Sequence, residues 1–132
     1  MNFDFFLYGF ILFLVVLVFA VLILSRKSKV SASDRRFFAQ KWKMVVEYSD
    51  LQKALLEADK LLYLALKKKG YEGSLGEKLK KASKLFRNLN EVWSAHKMRN
   101  QIAHEIGLQL KPQDAKIALT YFKRALEDLG YL

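Results

Sequence analysis

The chain has 132 residues, of which 23 are Lys or Arg and 13 are Asp or Glu, so its formal charge at pH 7 is +10. This length accommodates one domain at most. Cysteine is absent, which excludes disulfides, iron–sulfur clusters, thiol nucleophiles and zinc sites built from cysteine. One proline and six glycines argue against an all-β or low-complexity protein.

The N-terminal segment, residues 1–24, is predicted to be a transmembrane anchor. Phe5–Leu24 is an uncharged run in which Gly9 is the one residue that is not apolar. As a helix, a run of this length crosses about 30 Å of hydrocarbon. A cleavable signal peptide is the competing interpretation, but no base precedes the run and no small-x-small pattern follows it. We therefore expect the segment to be retained.

The orientation of the anchor follows from the bases that flank it. No Lys or Arg precedes the run, whereas seven follow closely: Arg26, Lys27, Lys29, Arg35, Arg36, Lys41 and Lys43. The positive-inside rule then predicts a single-pass protein of the plasma or inner membrane, with its N-terminus outside and its C-terminal domain in the cytoplasm. These bases could also contact anionic lipid headgroups; we attribute them first to topology and solubility.

The remainder divides into a basic polar linker, residues 25–33, and a helical domain, residues 34–132. It holds all 23 bases and 12 of the 13 acids, a formal charge of +11. Apolar residues recur there with a helical period, and no strand-like alternation is convincing. Asp34 is expected to cap a helix that runs to about Lys69; the pattern thins near residues 49–52, so a break there is left open.

Further helices are indicated by their start and stop signals. Ser74 and Glu77 have the spacing of a capping box. A helical pattern then extends to about Ile106, with continuity across residues 88–90 left open. Pro112 marks the next start, and Gly130 the stop. Short connections predict an all-α fold, in which four or five antiparallel helices form a bundle behind the anchor.

Polar residues interrupt an apolar helix face in the region around residues 85–106. On a helical wheel His96, Arg99 and Asn100 lie inside the apolar stripe, and His104 lies at its edge. A buried Arg or His is costly unless it is paired. Asp59 lies on the apolar face of the first predicted helix and is a natural partner. Asp59 is either a structural tie to Arg99 or an acid that orients Arg99 or a histidine in a site.

No metal or cofactor is expected. His96 and His104 are separated by roughly 12 Å along a helix axis, too far to share one ion within a protomer, and no HExxH spacing is present. Gly70, Gly73 and Gly76 do not follow a predicted strand, so they do not form a phosphate-binding loop of the usual kind.

The hexapeptide from Arg99 to His104, Arg-Asn-Gln-Ile-Ala-His, resembles the signature of the HEPN superfamily (higher eukaryotes and prokaryotes nucleotide-binding domain). That signature is an Arg, usually followed by a polar residue, and a His after four to six intervening residues. Residues 93–105 also look like the motif helix of small bacterial members. The resemblance implies an all-α bundle over residues 34–130. Many such domains are metal-independent ribonucleases that act as dimers, and others are non-catalytic scaffolds or nucleotide binders.

The resemblance implies that Arg99, Asn100 and His104 are candidate catalytic residues. Asp59 and His96, singled out by their places on the apolar faces, are candidate supporting residues. Metal-free RNA cleavage needs a base, an acid and a cation that stabilises the phosphorane. Histidine suits the two proton transfers, and arginine suits the stabilisation of the phosphorane. Because one motif supplies one histidine, a homodimer would complete an acid–base pair.

Three functions remain open on the sequence alone. The first is a non-catalytic interaction module that binds a protein, a nucleotide or RNA at the membrane. The second is a toxin- or defence-like ribonuclease that uses Arg99 and His104 across a dimer interface. The third is a basic domain that binds lipid headgroups or nucleic acid without chemistry. His96 is either a second catalytic imidazole or a core histidine hydrogen-bonded to Asp59, and we expect the second.

Overall fold

The structure, a computed structural model, describes residues 3–26 and 29–132; residues 27 and 28 of the predicted linker lie outside the described residues. Within these two ranges there is no β-strand, and the all-α prediction is confirmed. Six α-helices are present: α1 (Phe3–Arg26), α2 (Ala32–Glu47), α3 (Leu51–Lys68), α4 (Leu75–Lys81), α5 (Leu89–His104) and α6 (Pro112–Asp128). A 3-10 turn, Ser83–Leu85, lies between α4 and α5.

Helix α1 contains the N-terminal apolar run. Its segment Asp4–Leu22 has 19 residues and a mean hydropathy of 3.0, and none of it is buried. It is therefore long and apolar enough to span a membrane. The helix continues two residues beyond the predicted end at Leu24, to Arg26.

The break that the sequence left open near residues 49–52 is present, so two helices, α2 and α3, occupy the range from Asp34 to about Lys69. Ser31 caps α2: its hydroxyl accepts a hydrogen bond from the Asp34 amide at 3.1 Å. The chain turns after Glu47, and Asp50 caps α3 by accepting hydrogen bonds from two backbone amides. The apolar pattern thins near residues 49–52, which marks this turn in the sequence. Asp50 lies in this stretch, and as a cap it satisfies free backbone amides at the start of the new helix.

The start signals of the later helices are confirmed. The Ser74 hydroxyl and the Glu77 carboxylate form both hydrogen bonds of the capping box at the start of α4. Asn88 caps α5, so the helical pattern does not continue unbroken from α4. Helix α5 ends at His104, two residues before the predicted end at Ile106. Pro112 occupies the first turn of α6.

Helix α3 lies at the centre of the domain and contacts α2, α4, α5 and α6. Its apolar side chains Leu55, Leu62 and Leu66 are fully buried. So are Phe38 of α2 and Phe122 and Leu126 of α6, which belong to the same core. Each fully buried side chain of this size contributes roughly 1.5–3 kcal/mol through the hydrophobic effect.

The bundle has two distinct ends, which we call the anchor end and the far end. The anchor end contains the start of α2 and the last turns of α3 and α6, because the Lys68 ammonium pairs with the Asp34 carboxylate at 2.9 Å and Val30 packs beside Gly130. The far end contains the α2–α3 turn and the segment after α5, where the Gln52 amide donates to the Leu108 carbonyl at 3.5 Å. Helices α2 and α5 run towards the far end, and α3 and α6 return.

Candidate functional site

The candidate site is a cluster of four side chains from α3 and α5, which we call the Asp59 cluster. Asp59 Oδ1 lies 2.8 Å from His96 Nδ1, and Asp59 Oδ2 lies 3.1 Å from Arg99 Nε. Arg99 Nη1 donates to Asn100 Oδ1 at 3.1 Å, and Asn100 Nδ2 lies 3.3 Å from His96 Nε2. The four residues therefore form a closed circuit. The expected contacts of Asp59 with Arg99 and with His96 are both confirmed.

Hydrogen-bonding capacity assigns a role to each nitrogen of His96. Asp59 accepts, so Nδ1 carries the proton that it donates, and Nε2 is then the acceptor for the Asn100 amide. Both nitrogens of His96 are occupied by protein partners, so neither is available as a proton acceptor for a ligand in this arrangement.

Spacing on α5 explains why its three residues meet one acid on α3. His96 and Asn100 are four residues apart, so their side chains are neighbours on the helix surface, and Arg99 is three residues from His96. Ala95, a fully buried small residue, lets α5 approach α3 at this level. The side chains of Asp59, His96 and Arg99 are 7 %, 12 % and 27 % exposed. An acid this buried needs its partners, because an unpaired charge in the interior is strongly unfavourable.

Arg99 is the member of the cluster with unused donor capacity. Its Nε is buried and lies close to Asp59 Oδ2, but the N–H is not aimed well enough to form a hydrogen bond. Its Nη1 bonds to Asn100. A guanidinium has five donors in a fixed fork, so the exposed part of Arg99 can still bind an anion.

The cluster forms one wall of an open cleft of about 450 Å³, which we call the Asp59 cleft. Helices α3 and α4 supply the rest of its lining: Lys60, Tyr63, Ser74, Leu75 and Gly76. Lys60 and Arg99 against Asp59 give the lining a formal charge of +1. Lys60 is exposed and pairs with Glu57 at 2.7 Å. The cleft presents the guanidinium of Arg99, the ammonium of Lys60, the hydroxyl of Ser74 and the ring of Tyr63. These groups suit a small anionic ligand that has an apolar part.

Two close contacts shape the α4 side of the cleft. A Cβ on Gly76 would lie 3.3 Å from the Trp93 side chain, so α4 approaches α5 closely there. Lys78 is fully buried and lies 4.7 Å from the centre of the Tyr63 ring, and its ammonium donates to the Tyr71 carbonyl. These contacts hold Tyr63 and the first turn of α4 against the Asp59 cluster.

His104 lies outside both the cluster and the cleft. It is the last residue of α5, it is exposed, and it makes no hydrogen bond or ion pair with the part of the chain that the structure describes. Five residues of helix separate it from Arg99 by about 7.5 Å along the axis and turn it to another side. His104 was predicted at the edge of the apolar stripe, and it is exposed; Ala103, predicted within the stripe, is exposed too, so the stripe is not buried at this end of α5.

Four of the lining residues are predictable from the sequence, and the residues of the opposite wall are not. Asp59, His96, Arg99 and Asn100 were singled out because polar residues on an apolar stripe need partners. Lys60, Tyr63 and Gly76 gave no such signal, since an exposed lysine, an aromatic on a core face and a helical glycine have ordinary structural explanations. Among the described residues, no three His, Cys, Asp or Glu side chains are placed to hold a metal ion.

Comparison of the chain with protein-family models, with curated proteins and with solved structures found no match. The likeness to the HEPN signature therefore remains an expectation from the sequence, carried by the motif from Arg99 to His104.

Proposed function

We propose that this chain is a single-pass membrane protein whose helical part, residues 34–132, is a cytoplasmic HEPN-like bundle that binds a phosphate-bearing ligand without cleaving it. The ligand class is a nucleotide or RNA, and its site is the Asp59 cleft. The observation that carries the proposal is Arg99, which is held by Asp59 and Asn100 while its exposed part lines the cleft.

Arginine is suited to this role because its donor fork matches two phosphate oxygens at once. Asp59 and Asn100 hold the guanidinium in place, so little rotamer entropy is lost when a phosphate binds. Lys60 adds a second positive charge, and Tyr63 offers a ring for an apolar or aromatic part of the ligand. The formal charge of +11 on residues 25–132 would attract polyanions.

The absence of cleavage is proposed because neither histidine is placed to act beside Arg99. Both nitrogens of His96 are engaged, by Asp59 and by Asn100. His104 is exposed and is not among the residues that line the cleft. General acid–base catalysis needs a titratable group within hydrogen-bond reach of the reacting atoms.

The exposure of His104 favours a second candidate function, that of a dimeric metal-independent ribonuclease. His104 and the fully exposed Ile106 lie at the far end of the bundle. A second copy of the chain packed on this end would cover Ile106 and bring two copies of His104 together, which would supply an acid and a base across a two-fold axis. This candidate requires a homodimer with residues 95–105 near the axis.

Binding is tested with the full chain in lipid nanodiscs, by titration with ATP and with a short fluorescent RNA. We expect Arg99→Lys, which keeps the charge and loses the fork, to weaken binding by about tenfold, the size of one good bidentate contact. Arg124→Lys is the matched control, because Arg124 is exposed and pairs with Glu91 on the surface. Equal affinities for wild type and Arg99→Lys would contradict the proposal.

Cleavage is tested with the same proteins and a labelled RNA in the presence of a chelator. The binding-module proposal expects intact RNA. Cyclic phosphate ends that vanish in His104→Ala, together with a dimer in light scattering, would establish the ribonuclease instead.

Topology is tested with reporters fused after Leu132. A cytoplasmic reporter should be active and a periplasmic one inactive, because the bases follow α1 and none precedes it. The reverse pattern would contradict the proposed orientation.

A further inference from the structure

The anchor end of the domain carries a concentration of basic side chains that tertiary structure brings together. Five exposed bases form it: Lys29, Arg35, Arg36, Lys67 and Lys68; we call them the anchor-end patch. The first three precede or begin α2, and the last two end α3, more than 30 positions later in the chain. Antiparallel packing of α2 on α3, fixed by the contact of Lys68 with Asp34, places both groups at one end.

Most of this charge is not matched by acids in the described part of the chain. Lys68 pairs with Asp34, but no acid among the described residues pairs with Lys29, Arg35, Arg36 or Lys67. The acids that end α6, Glu127 and Asp128, are engaged by Arg87. At the opposite end of the α2–α3 pair the net charge is negative, because Glu47 and Asp50 outnumber Lys53. The positive charge of the α2–α3 hairpin is thus concentrated at the anchor end.

Chain length places this end close to the membrane. Val30 packs against the domain core, and a Cβ on Gly130 would lie 3.6 Å from it. Four residue steps separate Val30 from Arg26, the last residue of α1, and they span at most about 14 Å when fully extended. Arg26 follows the apolar run by two residues, which corresponds to the interfacial layer of a bilayer that holds α1. The anchor end therefore cannot move far from the headgroups.

We propose that the anchor-end patch binds anionic lipid headgroups of the membrane that holds α1, and so docks the helical domain with this end on the bilayer. This inference rests on the proposed anchoring by α1 and goes beyond the proposed ligand binding in the Asp59 cleft. Docking leaves the far end, with His104, directed away from the membrane. The attraction is electrostatic, so it depends on lipid charge and on salt.

The test uses the full chain in nanodiscs of phosphatidylcholine alone or of phosphatidylcholine mixed with phosphatidylglycerol. Because the sequence has no cysteine, a spin label can be placed at Ser33→Cys, near the patch, or at Ser49→Cys, in the α2–α3 turn. Both positions are exposed. The measurement is the relaxation of each label by a gadolinium chelate carried on lipid headgroups.

We expect the anionic lipid to increase relaxation at Ser33→Cys several-fold and to leave Ser49→Cys nearly unchanged. Each base near an anionic surface strengthens docking about fivefold, so Arg35→Gln, Arg36→Gln and Lys67→Gln together should weaken it about a hundredfold. The matched control removes the same charge elsewhere, through Lys97→Gln, Lys111→Gln and Lys116→Gln; all three residues are exposed. This control should retain the lipid response.

Two results would overturn the inference. One is equal relaxation at Ser33→Cys in the two lipid mixtures, and the other is an equal response in the two triple variants. A third result concerns RNA: a short RNA could release the labelled domain from the lipid and fail to bind the variant that lacks Arg35, Arg36 and Lys67. That result would assign the patch to nucleic acid and would also overturn the inference. Flotation separates these outcomes from failed anchoring, because a chain that does not float with lipid contradicts the membrane proposal itself.

Discussion

Arginine occurs in two charge-rich regions of this molecule, and its surroundings differ completely between them. Arg99, in the Asp59 cluster, is mostly buried and lies against an acid, an amide and a neighbouring histidine. Arg35 and Arg36, in the anchor-end patch, are exposed, and no acid of the described chain pairs with them. Arginine thus pairs with residues of the fold in the Asp59 cluster, and in the anchor-end patch it is accessible to a ligand outside the protein.

The difference shows how burial separates structural charge from interaction charge. In the interior a charge is retained only with partners, so removing one partner leaves the other uncompensated. At the surface water solvates the charge, and its removal changes stability little. The four predictions below test this contrast, and all use the full chain in nanodiscs with unfolding followed by the fluorescence of Trp42 and Trp93, which both lie in the helical domain.

The largest effect is expected for Asp59→Ala. Loss of the carboxylate leaves Arg99 and His96 without their acceptor in the interior, which should lower the free energy of unfolding by about 3–5 kcal/mol. The control is Glu57→Ala on the same helix, a half-buried acid whose partner Lys60 is exposed, for which we expect a change within about 0.5 kcal/mol. Equal stabilities for the two variants in urea titrations would show that the cluster does not hold α3 to α5.

A smaller loss is expected for Arg99→Ala. His96 still pairs with Asp59 in this variant, so the acid keeps one partner and the loss should be about 1–3 kcal/mol. Urea titration of the double variant Asp59→Ala, Arg99→Ala measures the coupling of the two residues. We expect the two losses to be less than additive, since both remove the same contact; strict additivity would contradict it.

Acid should destabilise the domain through two carboxylates near helix starts, those of Asp34 and Glu77. The Lys68 ammonium lowers the pKa of Asp34, and hydrogen bonding with Ser74 lowers the pKa of Glu77. The ordinary pKa values are 3.8 for Asp34 and 4.5 for Glu77, and both are lower in the folded state. Each carboxylate therefore stabilises the fold at a pH above its ordinary pKa. This stabilisation is lost as the pH falls through the folded-state pKa.

The midpoint of urea unfolding should therefore fall as the pH drops below about 4.5, and Glu77→Gln should flatten that fall. Glu105→Gln, at an exposed position just after α5, is the control and should keep the wild-type slope. Identical slopes for wild type and Glu77→Gln would show that the capping box contributes nothing to the pH dependence.

The smallest effect is expected for His104→Ala. Its side chain is exposed and has no hydrogen bond or ion pair in the described chain, so the unfolding free energy should change by less than about 0.5 kcal/mol. His96→Ala removes two hydrogen bonds of the cluster and should cost about 1–3 kcal/mol. A loss for His104→Ala as large as that for His96→Ala would mean that the two histidines share one environment.

The helix start signals illustrate what can be predicted locally. The capping box at Ser74 and the proline at Pro112 act through hydrogen bonds and backbone angles within a few residues, so spacing alone reveals them. The cap at Ser31 was missed in favour of Asp34 because both residue types serve as caps. Which one caps depends on where the chain enters the bundle, and Val30 determines that by packing on the core.

The sequence by itself determined the helical class, the apolar helix α1, the excess of bases after it and the need of Asp59 for partners. Each of these follows from composition or from periodicity along one element. Only the tertiary structure decided that Asp59 contacts His96 and Arg99 together, that α4 closes a cleft beside them, and that Lys67 and Lys68 join Arg35 and Arg36 at one end. Those are contacts between separate helices, and helix directions and contact levels depend on how whole apolar faces pack, which no local pattern specifies.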